Sequence, residues 1–220
     1  MRLLYRILLI ALIICIPITS LFAAFNVVLR LPDFYIYEFN KREVTNEINL
    51  KIKDEELGTF FSDFMREKHE VFELNVDDII VEQQSVFNDN EQRVMSNLRE
   101  VLNLSLIIMA GLLIIIIVIY WLLLMKKLKW ELRFAYKGGL IVFVFLAVLM
   151  AAAFNIPYTN ELMSSYLMMD TLSVEDVLPQ LLTHDLARDG LIVSLVISAI
   201  LLALGGSITW RLTKPRRMFS

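Results

Sequence analysis

The stretch Phe87–Leu124 constrains the fold most. It runs FNDNEQRVMSNLREVLNL into SLIIMAGLLIIIIVIYWLLL with no proline and one glycine, Gly111. Nothing in it breaks a helix, so its charged first half and apolar second half belong to one helix that rises from water into a bilayer. Asn88-x-x-Glu91 has the form of a capping box, the Asn side chain taking orphan amides and Glu91 reaching back. Val94, Leu98, Val101 and Leu102 then share a face, with Met95 beside them. Asn103 and Ser105 are expected on the side facing the other spans, because polar groups entering a bilayer face protein or water.

The rest of the chain fits around this helix. Hydrophobic residues make up 57% of the 220, charged residues 20%, and the mean hydropathy is +0.62. The apolar residues gather into four runs, each near the roughly 20 residues that span a bilayer core about 30 Å thick. The predicted organisation is mainly α, a bundle of four transmembrane helices. Residues 1–29 form transmembrane helix 1, 30–100 an extracytoplasmic domain, and 101–125 transmembrane helix 2. A basic cytoplasmic loop (126–137) leads to transmembrane helix 3 (138–156) and an extracytoplasmic amphipathic segment (157–189). Transmembrane helix 4 (190–212) and a basic cytoplasmic tail (213–220) close the chain.

Charge sets the orientation. Arg2 and Arg6 precede the first span, Lys126, Lys127, Lys129, Arg133 and Lys137 lie between the second and third, and Arg211, Lys214, Arg216 and Arg217 end the chain. Residues 30–100 carry 17 acids against 9 bases, and residues 157–189 carry 6 acids against Arg188. Short loops rich in Lys and Arg stay in the cytoplasm, so both termini are expected on the cytoplasmic side of the membrane. The first run is longer than a signal-peptide core and reads as an uncleaved signal anchor, with Pro17 as a mild kink. Cys15 lies in it, preceded by the bulky Ile14, which makes a poor lipobox.

Between the first two spans, Phe34-Tyr35-Ile36-Tyr37-Glu38-Phe39 suits a short strand, a helix end or an interfacial aromatic belt. Lys53-Asp54-Glu55-Glu56 opens a helix with acids in its first turn. Leu57, Phe60, Phe61, Phe64 and Met65 give that helix an apolar stripe. After the third span, Leu162, Met163, Tyr166, Leu167 and Met169 form another stripe. Ser173-Val174-Glu175-Asp176 then opens a helix carrying Val177, Leu178, Leu181, Leu182 and Leu186. Two amphipathic helices on the membrane surface are expected there. The alanines Ala147 and Ala151–Ala153 of the third span suit close helix approach, as do Gly205-Gly206 in the fourth. Trp121 and Trp130 suit an interfacial belt.

The chemistry-bearing patterns are few. One cysteine allows no disulfide within the chain and no cysteine metal cluster. No phosphate loop, nucleophile elbow or HExxH pair occurs, so no metal and no cofactor is expected. The basic patches are short and topogenic, and no nucleic acid partner is expected. A transporter or channel would need charges within the spans. His69, among Arg66, Glu67, Lys68 and Glu70, reads as a solvated residue at a helix end, and His184 as a surface or interfacial one.

Phe87-Asn88-Asp89-Asn90-Glu91-Gln92-Arg93-Val94-Met95-Ser96-Asn97-Leu98-Arg99 resembles a motif of bacterial integral membrane proteins that include the lipoprotein intramolecular transacylase Lit. That motif runs roughly Phe-x-x-(Arg)-Glu-x-x-His-Met-x-Asp-Val-(Arg/Lys). Phe87, Glu91, Met95 and Arg99 match, Val94 stands where the His belongs, and Asn97 replaces the Asp. The resemblance extends upstream through Phe34–Phe39 and the helix to Met65. Downstream it reaches Glu161–Asp176, where a second family His would fall near Met163 and a Trp near Leu172.

The resemblance implies transfer of an acyl chain from the lipid on a lipoprotein's N-terminal cysteine to that cysteine's amine. Such chemistry needs a base near neutral pH and donors for an oxyanion. Val94 and Met163 cannot move protons. Glu91, Arg93, Asn97 and Glu161 are the polar residues near the same place. Two readings follow. One is a divergent, non-catalytic relative that binds membrane lipid or a bacterial lipoprotein; the other is an active transacylase that uses other residues.

Overall fold

The computed structural model describes residues 2–48, 50, 52–76, 84–156, 165, 169–173 and 175–214. The described helices run in the order α1 (Arg2–Val28), α2 (Pro32–Arg42), α3 (Val44–Glu47), α4 (Asp54–Met65), α5 (Asp89–Met125), α6 (Lys129–Phe154), α7 (Val177–Leu181) and α8 (His184–Thr213). Two two-residue strands, β1 (Asn75–Val76) and β2 (Gln84–Ser85), pair antiparallel between α4 and α5. α1, α5, α6 and α8 are long and apolar enough to cross a membrane. The protein is a mainly helical, multi-pass membrane protein, and α5 is continuous over 37 residues, as the uninterrupted sequence requires.

The chain divides into two compact units. Unit 1 comprises residues 1–24, 105–153 and 194–220 and holds the apolar parts of the four long helices. Leu12 and Ile16 of α1, Ile119 and Leu123 of α5, Leu132, Ala135 and Tyr136 of α6, and Leu202 of α8 form its buried core. α6 approaches α1 through Gly138 and Gly139: a Cβ at Gly138 would lie 3.0 Å from Ile13 Cγ1. Pro17 removes the amide that would have served the Ile13 carbonyl, and Gly139 packs beside that oxygen. Gly205 and Gly206 receive the Tyr136 ring, whose hydroxyl donates to the Leu202 carbonyl. Ser20 and Ser198 share a hydroxyl hydrogen bond of 2.8 Å, and Tyr120 pairs with Thr209 at 2.9 Å. Close approach therefore falls to these glycines, whereas Ala151 and Ala152 are exposed and Ala147 and Ala153 half-buried.

Unit 2 comprises residues 25–104 and 154–193. Phe34–Phe39, for which three conformations suit the sequence, lies in helix α2. Pro32 presets its first turn, Asp33 suits the dipole there, and Lys41 and Arg42 fill its last turn. α4 buries Leu57, Phe60, Phe61, Phe64 and Met65, the stripe expected from spacing. α2 and α4 touch at Gly58, where a Cβ would sit 2.7 Å from the Ile36 amide nitrogen, so no larger residue fits. Phe39, Phe61, Phe64, Phe72 and Phe87 fill the centre, with Phe72 and Phe87 rings 4.4 Å apart. Each such ring contributes on the order of 2–3 kcal/mol of burial.

The chain turns at Leu182–Thr183 instead of extending α7. Thr183 Oγ1 lies 3.5 Å from the Leu186 amide, so a new helix starts at His184. Leu186 is thus a residue of α8, separate from the helix of Val177, Leu178 and Leu181. Of the stripe expected before it, Leu162, Met163, Tyr166 and Leu167 lie outside the described residues. Asn103 differs from expectation: it accepts from Arg30 and donates to Glu67, both residues of unit 2.

Candidate functional site

The first turn of α5 is built as its sequence prescribes. Asn88 Oδ1 accepts from the amides of Asn90 (3.0 Å) and Glu91 (2.9 Å), and Glu91 Oε2 accepts from the Asn88 amide at 2.7 Å. The capping box is complete in both directions. Glu91 goes further. Its other oxygen, Oε1, accepts from the amide of Leu178 in α7 at 2.6 Å, and the side chain is 1% exposed. Both carboxylate oxygens therefore hold backbone amides of two separate helix starts. This joins residues 87 positions apart, a pairing that capping patterns in the sequence do not disclose.

Phe87, Glu91, Met95 and Arg99 recur every four residues and so form one stripe. Phe87 stacks in the phenylalanine cluster, Met95 is buried there, and the Arg99 guanidinium lies 4.3 Å from the Phe64 ring centre. Arg99 also donates to the carbonyls of His69 and Glu70, at 2.9 and 3.2 Å. These four residues, which carry the motif resemblance, hold α5 against the rest of unit 2.

Val94 lies in the same apolar core, with no exposed surface, in a cluster that includes Phe87, Met95, Leu178 and Leu181. Arg93, next in sequence, is exposed and borders a shallow hollow of about 260 Å³ with Glu70, Val71, Asp89, Gln92 and Ser96. Asn97 is half-buried. Met163 and Glu161 lie outside the described residues. Among the named candidates, the structure thus brings Glu91 and Val94 to the buried face of α5 and leaves Arg93 on the surface.

The two histidines are both exposed. His69 follows α4 and packs its ring 5.5 Å from that of Phe60. His184 opens α8 and lies 4.5 Å from the Phe154 ring, exposed as a surface residue would be. A buried carboxyl that sequence reasoning passed over is Glu38 of α2, 3% exposed. Burial pushes its pKa above the ordinary carboxylate range; Lys41, 3.8 Å away, opposes this, and the Asp189 carboxylate adds to it. Its signal was an acid inside an aromatic run, visible only once that run is known to be a helix.

The family model described as "Lipoprotein intramolecular transacylase Lit" matches residues 10–160. Among curated proteins, none matches the chain. Solved structures of the membrane integral lipoprotein intramolecular transacylase Lit from Bacillus cereus are similar in fold. A variant with a histidine replaced by arginine superposes with a TM-score of 0.72 at 14% identity, covering 98% of this chain and 94% of that one. A variant with that histidine replaced by alanine gives 0.71 at 14% identity, over 98% and 96% of the two chains. A third structure gives 0.68 at 13% identity, over the whole of both.

Proposed function

The chain belongs to the lipoprotein intramolecular transacylase (Lit) family, and from that membership we propose a membrane scaffold that binds a lipid or a lipoprotein without histidine catalysis. It acts at the outer face of the cytoplasmic membrane with both termini inside. The support for that orientation is the distribution of Lys and Arg around the spans.

One observation carries the reading: Val94, which the motif resemblance sets against the family's histidine, is fully buried among apolar side chains. In the family's reaction a cysteine's amine attacks a lipid ester, and a base must accept a proton from that nitrogen. Valine has no atom that can accept it. The buried carboxylate one turn away, Glu91, has both oxygens held by backbone amides. Those bonds tie it to the Asn88 and Leu178 amides, which makes it a capping residue rather than a base.

Expression in cells whose lipoproteins are diacylated tests this, with mass spectrometry of a lipoprotein N-terminal peptide. The expected spectrum retains the diacyl form at its original abundance. Appearance of the N-acylated lyso form would overturn the non-catalytic reading and establish a transacylase that uses other residues.

A further inference from the structure

We propose that Arg30, Arg66 and Arg99, together with Asn103, bind the phosphate of a phospholipid headgroup where the apolar surfaces of α1 and α5 begin. The proposal rests on the lipid-binding reading above and names the lipid class.

Arg66, Arg30 and Asn103 are connected through a backbone carbonyl and a side-chain amide, and Arg99 stands one turn from Asn103. Arg66 Nε donates to the Arg30 carbonyl at 2.6 Å, and Arg30 Nη2 donates to Asn103 Oδ1 at 2.7 Å. Asn103 is fixed from its other side by Glu67, at 2.6 Å. Arg99 lies one turn before Asn103 on α5, against Phe64 of α4. Among the described residues, none of these guanidiniums has a carboxylate within ion-pair distance. Arg30 Nε is buried with no acceptor. Of the nearby acids, Asp63 is paired with Lys68 at 2.8 Å and Glu67 is engaged by Asn103, while Glu70 and Glu100 are exposed. Among the described residues, Glu67 is the one carboxylate hydrogen-bonded into the cluster, so three guanidiniums against it leave a net positive charge.

Its level along the helices selects the ligand. The last exposed apolar residue of α1 is Val27, two residues before Arg30's turn begins, and the first on α5 is Leu104, beside Asn103. From Arg99 to Leu104 a helix rises about 8 Å. The headgroup layer on each side of a bilayer is about 5–8 Å thick. A phosphate diester at that level meets guanidinium donors in the bidentate geometry it favours, and its acyl chains meet Val27 and Leu104. A soluble phosphate would gain nothing from those apolar neighbours.

Native mass spectrometry of the full-length protein, purified in detergent and offered phosphatidylglycerol or diglucosyl diacylglycerol, tests the site. Wild type is expected to retain phosphatidylglycerol on the order of tenfold better than the phosphate-free glycolipid, and R30Q/R66Q to lose that preference. If the double variant does not fold, R66Q, on an exposed side chain, is expected to lose part of it. Equal retention of the two lipids by wild type, or an unchanged preference in the variants, would overturn the site while leaving lipid binding intact. Displacement of phosphatidylglycerol by millimolar glycerol phosphate would overturn the assignment to a lipid. Retention of no lipid of either class would overturn the broader lipid-binding reading as well.

Discussion

The two units hold together by different means. The centre of unit 2 is a cluster of rings: Phe39, Phe61, Phe64, Phe72 and Phe87, each at most 1% exposed. Among the described residues, the buried core of unit 1 has one aromatic, Tyr136, seated against two glycines, with Tyr5, Tyr120 and Phe143 only partly buried against it, plus hydroxyl pairs such as Ser20–Ser198 and Tyr120–Thr209. The difference follows from the surroundings. A ring leaving water gains free energy in proportion to its area, but a ring leaving lipid gains little, since acyl chains are equally apolar. Helices in a bilayer associate through close backbone approach and interhelical hydrogen bonds. Solvent, more than sequence class, decides which kind of contact stabilises.

Three substitutions probe that contrast. Phe61→Ala should cost unit 2 about 3–5 kcal/mol, read as a lower thermal midpoint for proteolysis within residues 30–100. A loss below about 1 kcal/mol would mean that the ring cluster is not the source of that unit's stability. Glu91→Ala leaves the Asn88 and Leu178 amides without their acceptor. It should cost about 2–3 kcal/mol, with hydrogen exchange rising at both helix starts together. Exchange rising at Asn88 alone would show that the Leu178 bond contributes nothing. Ser20→Ala in unit 1 should cost about 0.6 kcal/mol, the usual size of an interhelical hydrogen bond in a bilayer, measured as reversible unfolding in bicelles. A cost equal to that of Phe61→Ala would abolish the distinction between the units.

The sequence discloses local devices well and tertiary partners poorly. The stripe Leu57–Met65 and the Asn88–Glu91 capping box are legible because helical spacing and capping chemistry are properties of neighbouring residues. The aromatic run Phe34–Phe39 suits a strand, a helix end or an interface equally well, and Pro32-Asp33 at the start of α2 is the signal that favours a helix. The break at Thr183 is hidden because Leu186 continues the leucine spacing across it. Asn103 shows the same limit. Polarity near a bilayer predicts a protein partner, and α5 has one in Arg30, but which face that partner lies on depends on a residue 73 positions away. The motif resemblance singles out Val94, and only burial reveals that its surroundings are as apolar as the residue itself.

The unbroken course of α5 has a consequence for how this protein can change over generations. At 1.5 Å per residue the helix is about 55 Å long, and each residue inserted into it turns everything before the insertion by about 100° relative to everything after. Glu91 and Val94 share that rod with Ile119 and Leu123, and each pair must face its own core. Point substitutions along α5 are therefore open to drift, but length changes are not. A single inserted or deleted residue between Met95 and Ile119 would put one pair out of phase. Side chains along the rod can change while the register that aims them stays locked.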